Sequence, residues 1–135
     1  TMAGWNLALR FTLEVAAMAG LAAAAWHLAA GPGRWIAAMA APAAAAAIWG
    51  LLNVPDDPSR SGAAPIEVTG RVRLVVELAI LCGGAAAVAV ATRPAMGIVL
   101  GLAIVAHYLA SVDRIAWLAA PRSTTRGRGS LPATP

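Results

Sequence analysis

"NLALRFTLEVAAMAGLAAAAW" (residues 6–26) decides the fold. About 20 mostly apolar residues cross the hydrocarbon core of a bilayer as a helix, and this run is long and apolar enough to do so. Yet it carries Arg10 and Glu14 in "RFTLE" (10–14). An ionisable group at the centre of a span costs about 2.5–3.5 kcal/mol on insertion scales. A chain that keeps two of them there has a use for them. Asn6, Arg10 and Glu14 are four residues apart, so a helix lines them up as one stripe.

Sixty-three positions further on, "RLVVE" (73–77) repeats the pattern inside another apolar run, and Thr69, Arg73 and Glu77 form the same stripe. The following apolar segments each begin next to an arginine, Arg34 and Arg93. The chain therefore reads as a duplicated helical hairpin whose first and third helices run the same way. Such a parallel repeat has a pseudo-twofold axis along the membrane normal and turns its two charged stripes toward each other.

Composition agrees with a membrane fold. Of 135 residues, 60% are hydrophobic and 12% charged, against about 25% charged in a soluble domain; the mean hydropathy is +0.73. Four segments qualify as spans, at roughly 5–30, 34–54, 70–92 and 94–120. "GPG" (31–33) closes the first, "PDDPSRSG" (55–62) follows the second, and Pro94 opens the fourth at a favoured first-turn position. No period-2 alternation supports a barrel. The expectation is an all-α integral membrane four-helix bundle over residues 1–120, made of two parallel-repeat hairpins joined by a 15-residue central loop. A Pro/Gly/Ser/Thr-rich basic segment at 121–135 reads as a disordered tail. The N-terminal run reads as a retained span, since it has no basic n-region and exceeds the length of an h-region.

Arginine asymmetry sets the orientation. Arg60, Arg71, Arg73, Arg114, Arg122, Arg126 and Arg128 fall on one side, and Arg34 and Arg93 on the other. The positive-inside rule puts both termini in the cytoplasm of a bacterial inner membrane. Trp5, Trp49 and Trp117 then lie near inner ends, and Trp26 and Trp35 near outer ends, as an aromatic belt. The pI of 11.1 does not indicate nucleic acid, because the arginines flank or enter apolar segments. The single Cys82 excludes an intramolecular disulfide and a cysteine metal cluster; its mid-span place suggests a small packing residue. "GG" (83–84) and the Gly97/Gly101 pair suit close helix approach, and Pro42 marks a place where the second span can kink.

Depth places the polar residues together. Glu14 lies ~13 Å along its helix from Trp5, Glu77 ~10 Å from Gly70, and His107 ~15 Å from Trp117. His107, Ser111 and Arg114 share a face, with Tyr108 beside it, and Asn53 closes the second span. Nearly all of these lie in the cytoplasmic half, which suggests a polar pocket open to that side above an apolar floor.

Three readings follow. In the first, a lipophilic small molecule enters from the membrane lipid for acid–base chemistry: cyclisation, isomerisation or epoxide opening of a prenyl or polyketide chain. Glu14, Glu77 and His107 are its candidate catalytic residues. Asn6, Arg10, Trp49, Asn53, Arg73, Tyr108 and Ser111 are its candidate substrate-binding residues. The chemistry needs no cofactor, and no H-x-x-x-H or E-x-x-H spacing points to a metal. In the second, Arg–Glu pairs across helices, Arg10 with Glu77 and Arg73 with Glu14, are glue that fixes the bundle. In the third, Glu14 exchanges protons in a transporter. A homodimer is compatible with each.

"NLALRFTLE", "RW" (34–35), "AP" (41–42), "WGL" (49–51), the Pro-rich central loop and "RLVVE" resemble the YrdB-like small bacterial membrane proteins, over roughly residues 5–119. The resemblance implies four spans and points to the same polar residues: the Asn6/Arg10/Glu14 stripe, "WG" (49–50) near Pro55, and the Arg73/Glu77 pair. That family is a domain of unknown function, so no reaction, substrate or cofactor comes with it. Small multidrug transporters are similar in length and in a first-helix glutamate at the place of Glu14. They do not bring two arginines and a second glutamate into the bundle, and an arginine beside the carboxylate would compete with a cationic drug.

Overall fold

A computed structural model of the chain describes residues 3–57 and 64–121. Among the described residues there are five helices: α1 (Gly4–Leu28), α2 (Gly33–Leu51), α3 (Gly70–Ala91), α4 (Pro94–Leu109) and α5 (Val112–Ala119). α1, α2 and α3 are each long and apolar enough to cross a membrane, and α4 with α5 makes a fourth such unit if the bent pair is one span. Arg60 and all of the basic tail beyond Pro121, with Arg122, Arg126 and Arg128, lie outside the described residues.

Local chemistry sets the helix ends. After α1 the chain turns at Gly31, whose φ of 58° lies in the left-handed region that glycine enters without steric cost. The Thr69 hydroxyl accepts the Val72 N–H at 3.3 Å and caps α3. Pro94 starts α4, where its missing N–H is not needed. α2 continues through Pro42. It ends at Leu51, three residues before the expected boundary, because Leu52–Asn53 (β1) pairs in parallel with Ile66–Glu67 (β2). Asn53 is therefore not the last residue of a helix. Its amide donates to Gly50 O at 2.6 Å, occupying a carbonyl at the helix end. Two paired residues per strand are too few for alternation to register.

α1 and α3 form the centre; α2 packs mainly on α1, and α4 on α3. Small residues permit the approach. A Cβ on Gly84 would collide with Ala17, one on Gly20 would meet Val88 Cγ2 at 2.5 Å, and one on Gly97 would meet Ala89 Cβ at 2.5 Å. The expectation held for Gly84 and Gly97. Gly83 and Gly101 face open space instead, and Gly20 was not foreseen.

The expected fourth span is not one straight helix. α4 and α5 meet at 71° around Ala110–Ser111. Ser111 Oγ donates to His107 O at 2.8 Å, and the Asn6 amide donates to Ser111 Oγ at 2.8 Å and to Ala110 O at 3.4 Å. Side-chain bonds of this kind compete with the helix ladder and bend it. A carbonyl released at the bend finds its partner in Asn6, on another helix.

The molecule is inverted relative to a soluble domain. Arg73, Glu77, His107, Arg114, Asn6 and Asp57 are buried, while Trp35, Ile36, Met39, Leu102 and Leu109 are exposed. Trp26 and Trp35 meet edge to face at 4.8 Å across the α1–α2 turn, with the Arg34 guanidinium 5.6 Å from the Trp26 ring. Trp49 departs from the expected belt: it is buried in the core.

Candidate functional site

The site is a closed network centred on Glu77. Its side chain is fully buried on α3. Oε1 accepts from Arg73 Nε at 2.9 Å, Arg10 Nη2 at 3.0 Å and Arg114 Nη2 at 2.6 Å. Oε2 accepts from Arg114 Nη1 at 2.8 Å and the Tyr108 hydroxyl at 3.2 Å. α1, α3, α4 and α5 thus converge on one carboxylate.

Each arginine has further partners. Arg114 bonds Asp57 through Nε at 3.1 Å and Nη2 at 2.7 Å, so it bridges two carboxylates with a planar five-donor fork. Arg73 Nη1 donates to the Trp49 and Leu52 carbonyls at 2.7 and 2.5 Å. A cation there meets the exposed carbonyls and the negative end of the α2 dipole. Arg10 Nε reaches Glu14 Oε1 at 3.1 Å. The Trp49 ring lies 5.6 Å from the Arg10 guanidinium and 5.2 Å from that of Arg73, so its face serves two cations. Arg10 Nη1 and Arg73 Nη2 are buried without a hydrogen-bond partner, and the indole face is what meets these groups.

The charges balance. Arg10, Arg73 and Arg114 face Glu14, Glu77 and Asp57 in five ion pairs. Removing a charge from water costs several kcal/mol, recovered only with good geometry and complete hydrogen bonding. Three against three balances the charge, and at Arg10 Nη1 and Arg73 Nη2, which lack hydrogen-bond partners, the Trp49 face is the neighbour.

Asn6, His107 and Ser111 form a second cluster at the α4–α5 bend. Asn6 Oδ1 lies 2.7 Å from His107 Nδ1. Because the Asn6 amide nitrogen donates to Ser111, its oxygen accepts and His107 Nδ1 carries the proton. The His107 ring also meets Tyr108 edge-on at 5.1 Å.

The expected residues thus come together, but in a different pairing. Arg10 does bind Glu77 across helices. Arg73 does not take Glu14; it takes Glu77 on its own helix. The repeated stripes are unequal: Glu77 receives three arginines, whereas the Glu14 side chain is 28% exposed and pairs with Arg10. Nor do the carboxylates open onto a shared polar pocket in the cavities described below, neither of which Glu14, Glu77 or His107 lines. Asp57 and Arg114 were absent from the candidate set. The available signal is charge balance, since the expected spans carry five arginines, Arg34 and Arg71 besides Arg10, Arg73 and Arg114, against the three acids Glu14, Glu77 and Asp113. Among the described residues no three His, Cys, Asp or Glu side chains converge as metal ligands.

Beside the network lies a groove of about 460 Å³ between α3, α4 and α5. Leu78, Cys82, Gly101, Ile104, Val105 and Tyr108 are among its lining residues. Cys82, expected as a small packing residue, is exposed there and lines the groove. Tyr108 alone belongs to both structures: its ring lines the groove and its hydroxyl holds Glu77.

An uncharacterized protein, YrdB of Bacillus subtilis (strain 168), is 41% identical over 113 residues, covering 84% of this chain and 92% of that protein. No solved structure matches. The model of a family described as "Protein of unknown function (DUF2568)" matches residues 8–107. The chain belongs to the DUF2568 family.

Proposed function

We propose that this chain is an integral protein of a bacterial inner membrane, with four spans arranged as two parallel-repeat hairpins and both termini cytoplasmic. It holds a lipophilic molecule, drawn from the bilayer, in the groove between α3, α4 and α5. The buried network is the clasp that keeps the groove walls in register. One observation carries this reading: the groove is walled almost entirely by apolar side chains, and Tyr108 ties its wall directly to Glu77. Apolar concave sites with few polar groups are the usual form of small-molecule sites.

A photoreactive long-chain alkyl diazirine tests it, with the full chain in lipid nanodiscs. Labelling is expected on peptides carrying Leu78, Cys82 and Val105. Gly101→Trp should reduce it several-fold, since a Cβ at Gly101 meets nothing within 4 Å and the indole would fill the groove. Labelling spread evenly over the α2 face around Ile36 and Met39, and unchanged by the variant, would overturn the reading.

Acid–base chemistry on the bound chain is the second reading, favoured by the exposure of Glu14. Glu77 suits it less, because both of its oxygens are already engaged. Loss of turnover of a candidate prenyl substrate in Glu14→Gln, with the melting temperature retained, is its test. Proton exchange for a cationic drug suits the site least, with Arg10 at 3.1 Å from the Glu14 carboxylate.

A further inference from the structure

A second cavity, of about 880 Å³, lies where the central segment meets the start of α3 and the end of α5. Its apolar walls include Val54, Val68, Leu118 and Pro121, and three charged residues line it: Asp56, Glu67 and Arg71. All three are exposed, and none takes part in the ion pairs found among the described residues. This contrasts with the neighbouring network, where each charge is matched inside the protein.

The backbone holds these three charges in place. Glu67 is fixed opposite Asn53 by the β1–β2 pairing, and Val68 N–H donates to Asn53 O at 3.0 Å. Arg71 lies in the first turn of α3, whose first residue, Gly70, lies against the Leu118 carbonyl so closely that no Cβ would fit. Asp56 follows Pro55 in a turn closed by Asp57 N–H to Val54 O at 3.3 Å, with φ at 61°. Glycine is the residue such a position favours, although aspartate tolerates it. Asp57 turns into the core toward Arg114, and Asp56 lines the cavity.

We infer that this cavity binds the headgroup of a zwitterionic aminophospholipid from the adjoining leaflet. Arg71 takes the phosphate, Asp56 and Glu67 take the ammonium, and the apolar walls take the glycerol end of the chains. A cation with two carboxylates around one apolar-walled space matches a group that carries phosphate and amine on one short stem. A phosphoglycerol headgroup supplies the anion but leaves both carboxylates unmatched. The inference rests on the membrane-spanning part of the proposed function and is independent of the groove.

The test is native mass spectrometry of the full chain released from mixed vesicles of phosphatidylethanolamine and phosphatidylglycerol, with acyl chains matched. The expected result is one retained phosphatidylethanolamine, preferred about five-fold, which is what a single ion pair at an exposed site supplies. Glu67→Gln and Asp56→Gly should each bring the preference toward unity. Asp56→Gly should do so without lowering the melting temperature, because glycine suits the turn better. Arg71→Gln should reduce retention of both lipids. Free phosphoethanolamine in excess should compete with the preference. Equal retention of the two lipids by the unmodified chain, or an unchanged preference in folded Glu67→Gln and Asp56→Gly, overturns the inference. A chain that partitions into the aqueous phase and retains no phospholipid overturns it together with the membrane reading.

Discussion

Arg114 and Asp57 face each other through two parallel hydrogen bonds, at 3.1 and 2.7 Å, between α5 and the turn that follows β1. Both side chains are almost wholly buried. The pair pins the central segment to α5, and through Arg114 it reaches Glu77 on α3. Breaking a buried pair by removing one partner costs about 3–5 kcal/mol, because the other charge is left uncompensated. Asp57→Asn is expected to lower stability by about that amount. Arg114→Met combined with Asp57→Asn should cost less than the sum of the single changes. A double-mutant cycle from thermal unfolding in detergent measures the coupling, and strict additivity would remove the clasp.

Glu77 and Glu14 occupy equivalent places in the sequence repeat but unequal places in the molecule. Glu77→Gln leaves Arg10, Arg73 and Arg114 around a neutral amide, one of whose atoms donates where it formerly accepted. A loss of about 3–5 kcal/mol is expected. Glu14→Gln removes a partly exposed i,i+4 pair, worth under about 1 kcal/mol. Melting temperatures of the two variants in one detergent decide the matter; equal losses would contradict the asymmetry of the network.

Much of this arrangement is visible in the chain itself. Hydropathy and length locate the helices because a bilayer span needs a long apolar run, and Arg10, Arg73 and Glu77 stand out because charge is costly there. The rest depends on tertiary contacts that no local pattern carries. Asp57 sits in a loop whose sequence, "PDDP", offers two adjacent aspartates and no means of telling the buried one from the exposed one. The segment 94–120 reads as one continuous helix because its apolar pattern continues; the partner that bonds at the bend is Asn6, more than a hundred positions away. The pairing of Arg73 with Glu77 goes against the helix preference for glutamate preceding the cation. Arg73 can take it because its Nη1 also engages carbonyls at the end of α2.

Asn6 holds the bend from outside. Asn6→Ala removes the partner of His107 Nδ1 and the amide that serves Ser111 Oγ and Ala110 O. Buried groups left without partners cost about 1–3 kcal/mol. The variant should lose stability in that range. It should also increase hydrogen exchange at the backbone amides of residues 110–115, while those in the middle of α3 stay protected. Uniform exchange across α3 and α5 would show that Asn6 acts on the whole bundle and not on the bend.

The glycine positions separate contact from composition. Gly83 and Gly84 are neighbours in sequence, yet a Cβ on Gly84 collides with Ala17 of α1 while one on Gly83 meets nothing within 4 Å. Gly84→Val must therefore push α1 from α3, the central pair of helices, and overpacking of this kind costs about 1–3 kcal/mol or more. Gly83→Val adds a β-branched side chain to an open face and should change stability by less than about 1 kcal/mol. Because Arg10 on α1 reaches Glu77 on α3, a wider separation should also loosen that bond. Gly84→Val is then expected to respond less than the unmodified chain to a further Arg10→Gln substitution. Thermal unfolding of five proteins, the unmodified chain, the Gly83→Val, Gly84→Val and Arg10→Gln variants and the Gly84→Val/Arg10→Gln double, reads this directly. If Gly83→Val destabilises as much as Gly84→Val, close α1–α3 packing is not what the second glycine provides.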